Sequence, residues 1–378
     1  MNILILADPY GRPSYAPRLR YLCEYLHQQG HTVEVYTEKW DTLEFEHKYP
    51  IHEISFYHLG YISWAIKTLF TLLTDWKDRY FARVVLWKTR KQHFDVVFCT
   101  TFSTFPLTAA RIVAEKKGLK LLTDIRDLDE QVPGHQYINH RQRMLKPFRD
   151  WYSRVNAERR NKVLEVADAI TTISPWHVEF IKPINPNVHL IYNGFDPDLF
   201  YAENIKADIF QINYIGRMYE FQDPSLLFTA VRELNLPKCQ VNFYTNMSAI
   251  ERIQEKGVHT FGFLPTMAIP DMIRRSSILV VLTNPKTNGM MTTKFFEALG
   301  CEKPVLCIPS DNGMLAATIQ QTNAGIATSD LAEVKQFILD RYEEWKANGY
   351  TRQPVADTSL FNRKNQAQQI EALLQKLC

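Results

Sequence analysis

The chain has 378 residues, more than one hydrophobic core usually supports, so two domains are expected. Apolar residues make up 46% and charged residues 22%, which excludes a disordered or fibrous protein. A net charge of +3 with no long run of one sign argues against a nucleic-acid partner. The six cysteines are scattered without a C-x-x-C pair, so buried thiols in a reducing, cytoplasmic setting are expected rather than disulfides or metal ligands. The opening M-N-I-L-I-L-A-D is too short and lacks the basic lead of a signal peptide; it reads as a first buried strand.

That strand, Asn2–Ala7, is a continuous apolar run of the kind a parallel sheet covers on both faces. A loop D-P-Y-G-R-P-S-Y follows, then a helix with Leu19, Leu22, Cys23 and Leu26 on one face, Gly30 after it, and a strand at Thr32–Thr37. This βαβ opening lacks G-x-G-x-x-G. Residues 61–92 join Ile62, Trp64, Leu69, Phe70, Leu73 and Trp76 to a run of Lys and Arg. The uncharged part is too short to span a bilayer, and two readings stand: an interfacial helix touching anionic membrane, or a crossover helix packed on the sheet.

Strand Asp95–Thr100, a helix around Leu107–Lys117 and strand Leu119–Thr123 repeat the βα pattern. The last strand runs into D-I-R-D-L-D-E-Q, where open α/β sheets place ligands, beyond the strand's carboxyl end. Asp124, Arg126, Asp127 and Asp129 are the candidates, with Asp127 chosen as an acceptor-side carboxylate and Arg126 as the group that keeps it ionised or meets a phosphate. A basic helix around Asp150–Val166, the strand A-D-A-I-T-T-I-S-P and the turn N-G-F-D-P-D-L-F complete the first half. Asp196-Pro-Asp198 has a D-x-D spacing, but the neighbouring Asn-Gly and Pro mark a turn between domains. No strong metal-ligand spacing occurs, and no metal or cofactor is expected.

The hinge falls between Phe200 and Gln211, and I-N-Y-I-G-R-M opens a second βα series. Helix Pro224–Leu234, strand Val241–Tyr244 and helix Ala249–Lys256 follow, then V-H-T-F-G-F-L-P with Phe263 and Leu264 in its turn. The loop N-P-K-T-N-G-M-M leads into M-M-T-T-K-F-F-E-A-L-G-C-E-K-P-V-L-C-I-P. There Thr292 or Thr293 serves as N-cap, Gly300 stands at the stop, and Phe295, Phe296 and Leu299 suit burial. So short a helix keeps its amide donors and dipole near one spot, and Glu297, one turn in, suits a pair of hydroxyls. Anion at the tip and diol at the carboxylate describe a nucleotide's diphosphate and ribose.

The segment Thr293–Leu306 resembles the donor-site element of the GT-B glycosyltransferases of family 4, written S-K-x-F-E-Y-L-A-x-G-K-P-V-L. The resemblance runs nearly end to end and implies α/β architecture of the GT-B kind, two Rossmann-like doubly wound domains facing across a cleft. The domains would be 1–200 and 208–356, with a closing helix in 357–378 returning to the first. It implies transfer of a sugar from a UDP- or GDP-type donor to a glycan or lipid-linked hydroxyl, with retention and without metal. Carried over by position, Glu297 holds the ribose. Gly216 allows close approach and Arg217 pairs with the diphosphate, while main-chain groups at Phe263 and Leu264 meet the base. Thr292, Thr293 and Lys294 line the donor site, and Tyr10, Gly11 and Arg12 form the acceptor or phosphate loop. The chain departs from the family pattern at Gly289, where members have a second glutamate. It departs again in F-Q-D-P-S, where members have a K-G pair and where Lys294 or Lys286 is the substitute. A sugar-nucleotide epimerase and a non-catalytic nucleotide- or membrane-binding protein are the alternatives.

Overall fold

A computed structural model describes every residue except 9, 11–16, 40–45, 57–69, 71–72, 102–103, 132–145 and 286–288. The chain divides into two compact α/β units. In the first, β1 (Asn2–Ala7), β2 (Thr32–Glu38), β3 (Ile51–Ile54), β4 (Val96–Thr101), β5 (Lys120–Ile125), β6 (Ala169–Thr172) and β7 (Val188–Leu190) form one sheet. Its order is β3-β2-β1-β4-β5-β6-β7, and every pairing is parallel. Along β1 the side chains alternate: Leu4 and Leu6 enter one core and Ile3, Ile5 and Ala7 the other. Both faces are thus dry, which is why the strand is apolar at every position. Helices α1 (Pro17–Gln28) and α12 (Arg363–Leu377) cover one face through Leu19, Leu22, Leu26, Ile370 and Leu374. Helices α2 (Trp76–Lys88), α3 (Leu107–Lys117), α4 (Lys146–Leu164) and α5 (Pro175–Ile181) cover the other, through Phe81, Ala110, Val163 and Ile181 among others.

The second unit holds β8 (Phe210–Ile215), β9 (Cys239–Tyr244), β10 (Val258–Phe261), β11 (Ile278–Leu282), β12 (Val305–Ile308) and β13 (Gly325–Ala327). Their order is β10-β9-β8-β11-β12-β13, again all parallel. Its helices are α6 (Ser225–Leu234), α7 (Met247–Ile250), α8 (Ile269–Arg275), α9 (Thr293–Gly300), α10 (Met314–Gln321) and α11 (Leu331–Asn348). Phe210, Ile212 and Tyr214 of β8 pack with Leu227 of α6 and with Phe337, Ile338 and Trp345 of α11. Helix α7 stops at Ile250, short of the Lys256 expected from the pattern.

The boundaries differ from those drawn on the sequence. The first unit ends at Tyr192 and resumes at Lys364, so 193–200 and 357–363 belong with the second. The reason is local: Phe195 forms a parallel bridge with Asn362. Its ring also fills the place where a side chain on Gly300 would sit, 2.6 Å from an added Cβ. The Asp196 carboxylate accepts the Asp198 amide at 3.0 Å, a turn device rather than half of a metal motif. All six cysteines are free thiols. No described helix is long and apolar enough to cross a membrane.

In the first unit, Asp78 of α2 is buried and accepts the Ala109 amide at 3.1 Å, capping the first turn of α3. Burial pushes its carboxyl up to about 7, against the pull of that amide and of Lys77. A carboxyl raised on folding gives stability that is whole below its ordinary pKa of 3.8 and lost as pH rises through about 7. Asp78→Asn is expected to remove that loss. Denaturant titrations should place the variant on the order of 2 kcal/mol above the wild type at pH 8 and near it at pH 4.

Candidate functional site

The site is built in the second unit, at the carboxyl ends of its central strands. Strand β8 ends at Ile215, and Gly216 takes φ +114°, a conformation that side chains rarely adopt. Its bare Cα is covered by Lys294 from the first turn of α9: an added Cβ would lie 2.8 Å from the lysine Cε. The lysine Nζ donates to the Arg217 carbonyl at 3.3 Å and stands 4.8 Å from the Tyr214 ring centroid. Gly216, Arg217 and Lys294 are therefore brought together. The Arg217 side chain is exposed and pairs with no carboxylate among the described residues.

The loop after Arg217 is fixed by Gln222, which is buried. It donates to the Leu282 carbonyl at 2.6 Å and accepts from the Tyr219 amide at 2.9 Å and the Tyr214 hydroxyl at 3.2 Å. Asp223 accepts the Ser225 amide at 2.9 Å and so caps α6. The F-Q-D-P-S departure thus has a structural use: these two side chains order the loop, and Lys294 and Arg252 are described cations beside it, Arg252 donating to the Tyr219 and Glu220 carbonyls. Lys286, the other candidate, lies outside the described residues.

Helix α9 begins at Thr293, with Thr292 in extended N-cap conformation, yet the Thr292 side chain makes no capping hydrogen bond. Thr292 is half-buried and Thr293 exposed. Phe295, Phe296, Ala298 and Leu299 are buried, which pins the helix and turns Lys294 and Glu297 toward the open side. Burial pushes the half-buried Glu297 carboxyl up to about 7, opposed by the charges of Arg363 and Lys294. Burial likewise lowers Lys294 to about 8, with Glu297 pulling the other way. Arg363 was not picked out from sequence, because it comes from the far end of the chain. Gly289 takes φ +54°, which suits the glycine that stands there. Phe263 is 55% exposed and Leu264 half-buried, just past β10, two strands from Gly216 along the same sheet edge. Neither makes a hydrogen bond or ring contact with Arg217 or Lys294.

In the first unit the expectations need correction. The Arg126 guanidinium donates to both oxygens of Asp8, at 2.9 and 3.0 Å, tying the end of β5 to the end of β1, and the Asp127 charge lies within its reach as well. Its pKa is raised because Asp8 and Asp124 outweigh the burial that would lower it. Beside it, Arg18 donates to Asp124 at 3.2 Å, and Asp124 also accepts from Thr100 at 3.0 Å and Thr171 at 2.8 Å. Asp8 and Asp124 are 3% and 2% exposed, too deep for a ligand to reach. Asp127 is half-buried at the strand end. Tyr10 is a core residue, 1% exposed, with its hydroxyl on that of Tyr49 at 2.7 Å, so it forms no part of a ligand loop. Gly11 and Arg12 lie outside the described residues.

Two all-parallel sheets with helices on their faces are the two α/β units of the GT-B fold. Residues 17–199 match the family described as Glycosyltransferase Family 4. No curated protein sequence matches the chain. Sucrose-phosphate synthase from Thermosynechococcus elongatus shares 17% identity at a TM-score of 0.70, over 100% of this chain and 99% of that one. Anabaena HepE in complex with UDP and glucose shares 16% at 0.69, over the whole of both chains. UDP-GlcNAc 2-epimerase from Neisseria meningitidis, bound to UDP-GlcNAc, shares 12% at 0.57, also over the whole of both. The whole chain has the GT-B fold, and its residues 17–199 match the family 4 glycosyltransferase model.

Two titrations bracket the site. Affinity for a nucleoside diphosphate should rise as Glu297 ionises through about 7 and fall as Lys294 loses its proton above about 8. Calorimetric titration across that range should give a bell, and Glu297→Gln should weaken binding by about tenfold while flattening the acid limb. Gly216→Ala must displace Lys294 and strain the backbone, so its melting temperature and its nucleotide affinity should both drop, the latter by about tenfold.

Proposed function

We propose that the protein transfers a sugar from a nucleotide-diphosphate donor to a hydroxyl acceptor. The observation that carries this reading is the seating of Lys294 over Gly216 and on the Arg217 carbonyl, which brings an ammonium, the Gly216-Arg217 backbone and the first turn of α9 to one corner. Cleavage of the bond from the anomeric carbon to the phosphate oxygen leaves negative charge on the departing diphosphate. Arg217, Lys294 and the α9 amides stabilise that charge where it grows. Glu297 accepts the ribose hydroxyls, and the turn at Phe263 and Leu264 meets the base. Asp127 assists on the acceptor side, as base or as stabiliser of developing positive charge. Arg126, engaged with Asp8, holds the strand end in place instead of touching substrate.

The donor is a UDP- or GDP-sugar, and the acceptor a glycan or lipid-linked hydroxyl at the cytoplasmic face. The sugar is transferred with retention and without a metal ion. Anabaena HepE, solved with UDP and glucose, supports the donor class by analogy of fold. An epimerase uses the same fold and needs no acceptor, so the two activities separate cleanly.

With labelled UDP- and GDP-sugars, label should move to an added glycan acceptor. Arg217→Ala should lower kcat/KM by about a hundredfold. Asp127→Asn should lower transfer by a similar factor while nucleotide binding stays at the wild-type level. Formation of an epimeric sugar nucleotide without acceptor would replace this reading, and nucleotide binding with turnover at solvent background would remove catalysis altogether.

A further inference from the structure

We infer that the outward face of α2 is a docking surface for an anionic lipid bilayer. The helix has two unlike sides. Asp78, Phe81, Ala82 and Val85 are buried toward the sheet. The opposite side carries Arg79, Tyr80, Arg83, Trp87 and Lys88, all exposed, and exposed Arg90 and Lys91 follow just beyond its end. Tyr80 and Trp87 stand seven residues apart and Arg79 and Arg83 four, so rings and cations run in adjacent rows along one face.

Charge and exposure point to the same occupant. Between Trp76 and Gln92 the one acidic residue is Asp78, which is buried beneath the helix. Asp75, just before it, is held by Arg159 at 2.7 Å. Arg79, Arg83, Lys88 and Lys91 pair with no carboxylate among the described residues, while Arg90 lies 4.9 Å from the Trp87 ring centroid and donates to the Trp87 carbonyl. Trp87 is 63% exposed and Tyr80 44%, and Phe70 and Leu73 upstream add exposed apolar surface. Four of the twelve large exposed hydrophobic side chains among the described residues therefore lie within residues 70–87. Cations alone would also suit a nucleic acid. Aromatic rings interleaved with them, beside exposed Phe and Leu, suit the headgroup boundary of a bilayer, where indole and phenol rings partition. The sheet-packed inner side means that the helix lies on the surface and does not cross it. Ile62, Trp64 and Leu69 of the same segment lie outside the described residues.

This inference stands apart from the transfer reaction and is tested without it. The full chain is sedimented with vesicles of phosphatidylcholine alone and of phosphatidylcholine with phosphatidylglycerol. Binding is expected to the anionic vesicles only and to fall as salt is raised. Each basic residue near such a surface contributes roughly a fivefold factor, so Arg83→Glu with Arg90→Glu should weaken binding by at least about tenfold. Trp87→Ala should weaken it several-fold, and Arg79→Gln with Arg83→Gln gives a charge-neutral check should the reversed pair melt early. Lys238→Glu with Lys256→Glu, the same change in net charge in the second unit, should leave binding as it was. Equal binding to neutral vesicles, or undiminished binding by the α2 variants, would overturn the inference. So would equally tight binding to a DNA duplex, abolished by the same changes.

Discussion

The room above Gly216 is occupied by a lysine from another element, and the candidate site depends on that approach. Lys294 reaches it because α9 is only two turns long and is pinned from beneath by Phe295, Phe296 and Leu299. The helix cannot rotate without exposing those rings, so its first turn and its one carboxylate stay turned the same way. Gly300 closes the helix against Phe195, where any side chain would collide with the ring. Two glycines far apart in sequence thus serve one purpose: each lets a side chain come close enough to fix helix α9 in place.

A half-buried cation and a half-buried carboxylate on one short helix hold each other in a narrow electrostatic balance. Burial favours the neutral form of both Lys294 and Glu297, while each favours the charged form of the other. Arg363 adds to the carboxylate's side of that balance. A ligand with two negative phosphates would tip it further by restoring the lysine's charge, since an ammonium beside a diphosphate gains more than it loses to burial. Protonation state and ligand occupancy are therefore linked in this corner.

What was legible in the sequence follows from which interactions are local. The continuous apolar run of β1 and the Phe-Phe-x-x-Leu spacing of α9 report burial directly, because neighbours in the chain share the same face. Gly216-Arg217 was legible because a strand followed by Gly-Arg is a local pattern. Strand β3 was not, since Ile51-His52-Glu53-Ile54 has a polar middle that only an edge position tolerates. The partner of Arg126 was hidden for another reason: Asp8 lies 118 residues away, and the nearer Asp127 looked equally suitable. Tyr10 misled because an aromatic beside glycine and arginine resembles a ligand loop, whereas its ring and hydroxyl complete the core with Tyr49.

The two units treat their charges oppositely. In the first, Arg18 and Arg126 are engaged with buried Asp124 and Asp8 at the ends of the strands, so the guanidiniums there are already neutralised. Breaking either pair would strand a buried carboxylate, which is costly, so this network serves to hold strand ends rather than to receive an anion. In the second, Arg217 is exposed and Lys294 faces only a carbonyl, a ring and a partly protonated Glu297. A diphosphate binds where positive charge is present, accessible and uncompensated. The strand ends of the second unit, and not those of the first, are thus where positive charge is left accessible.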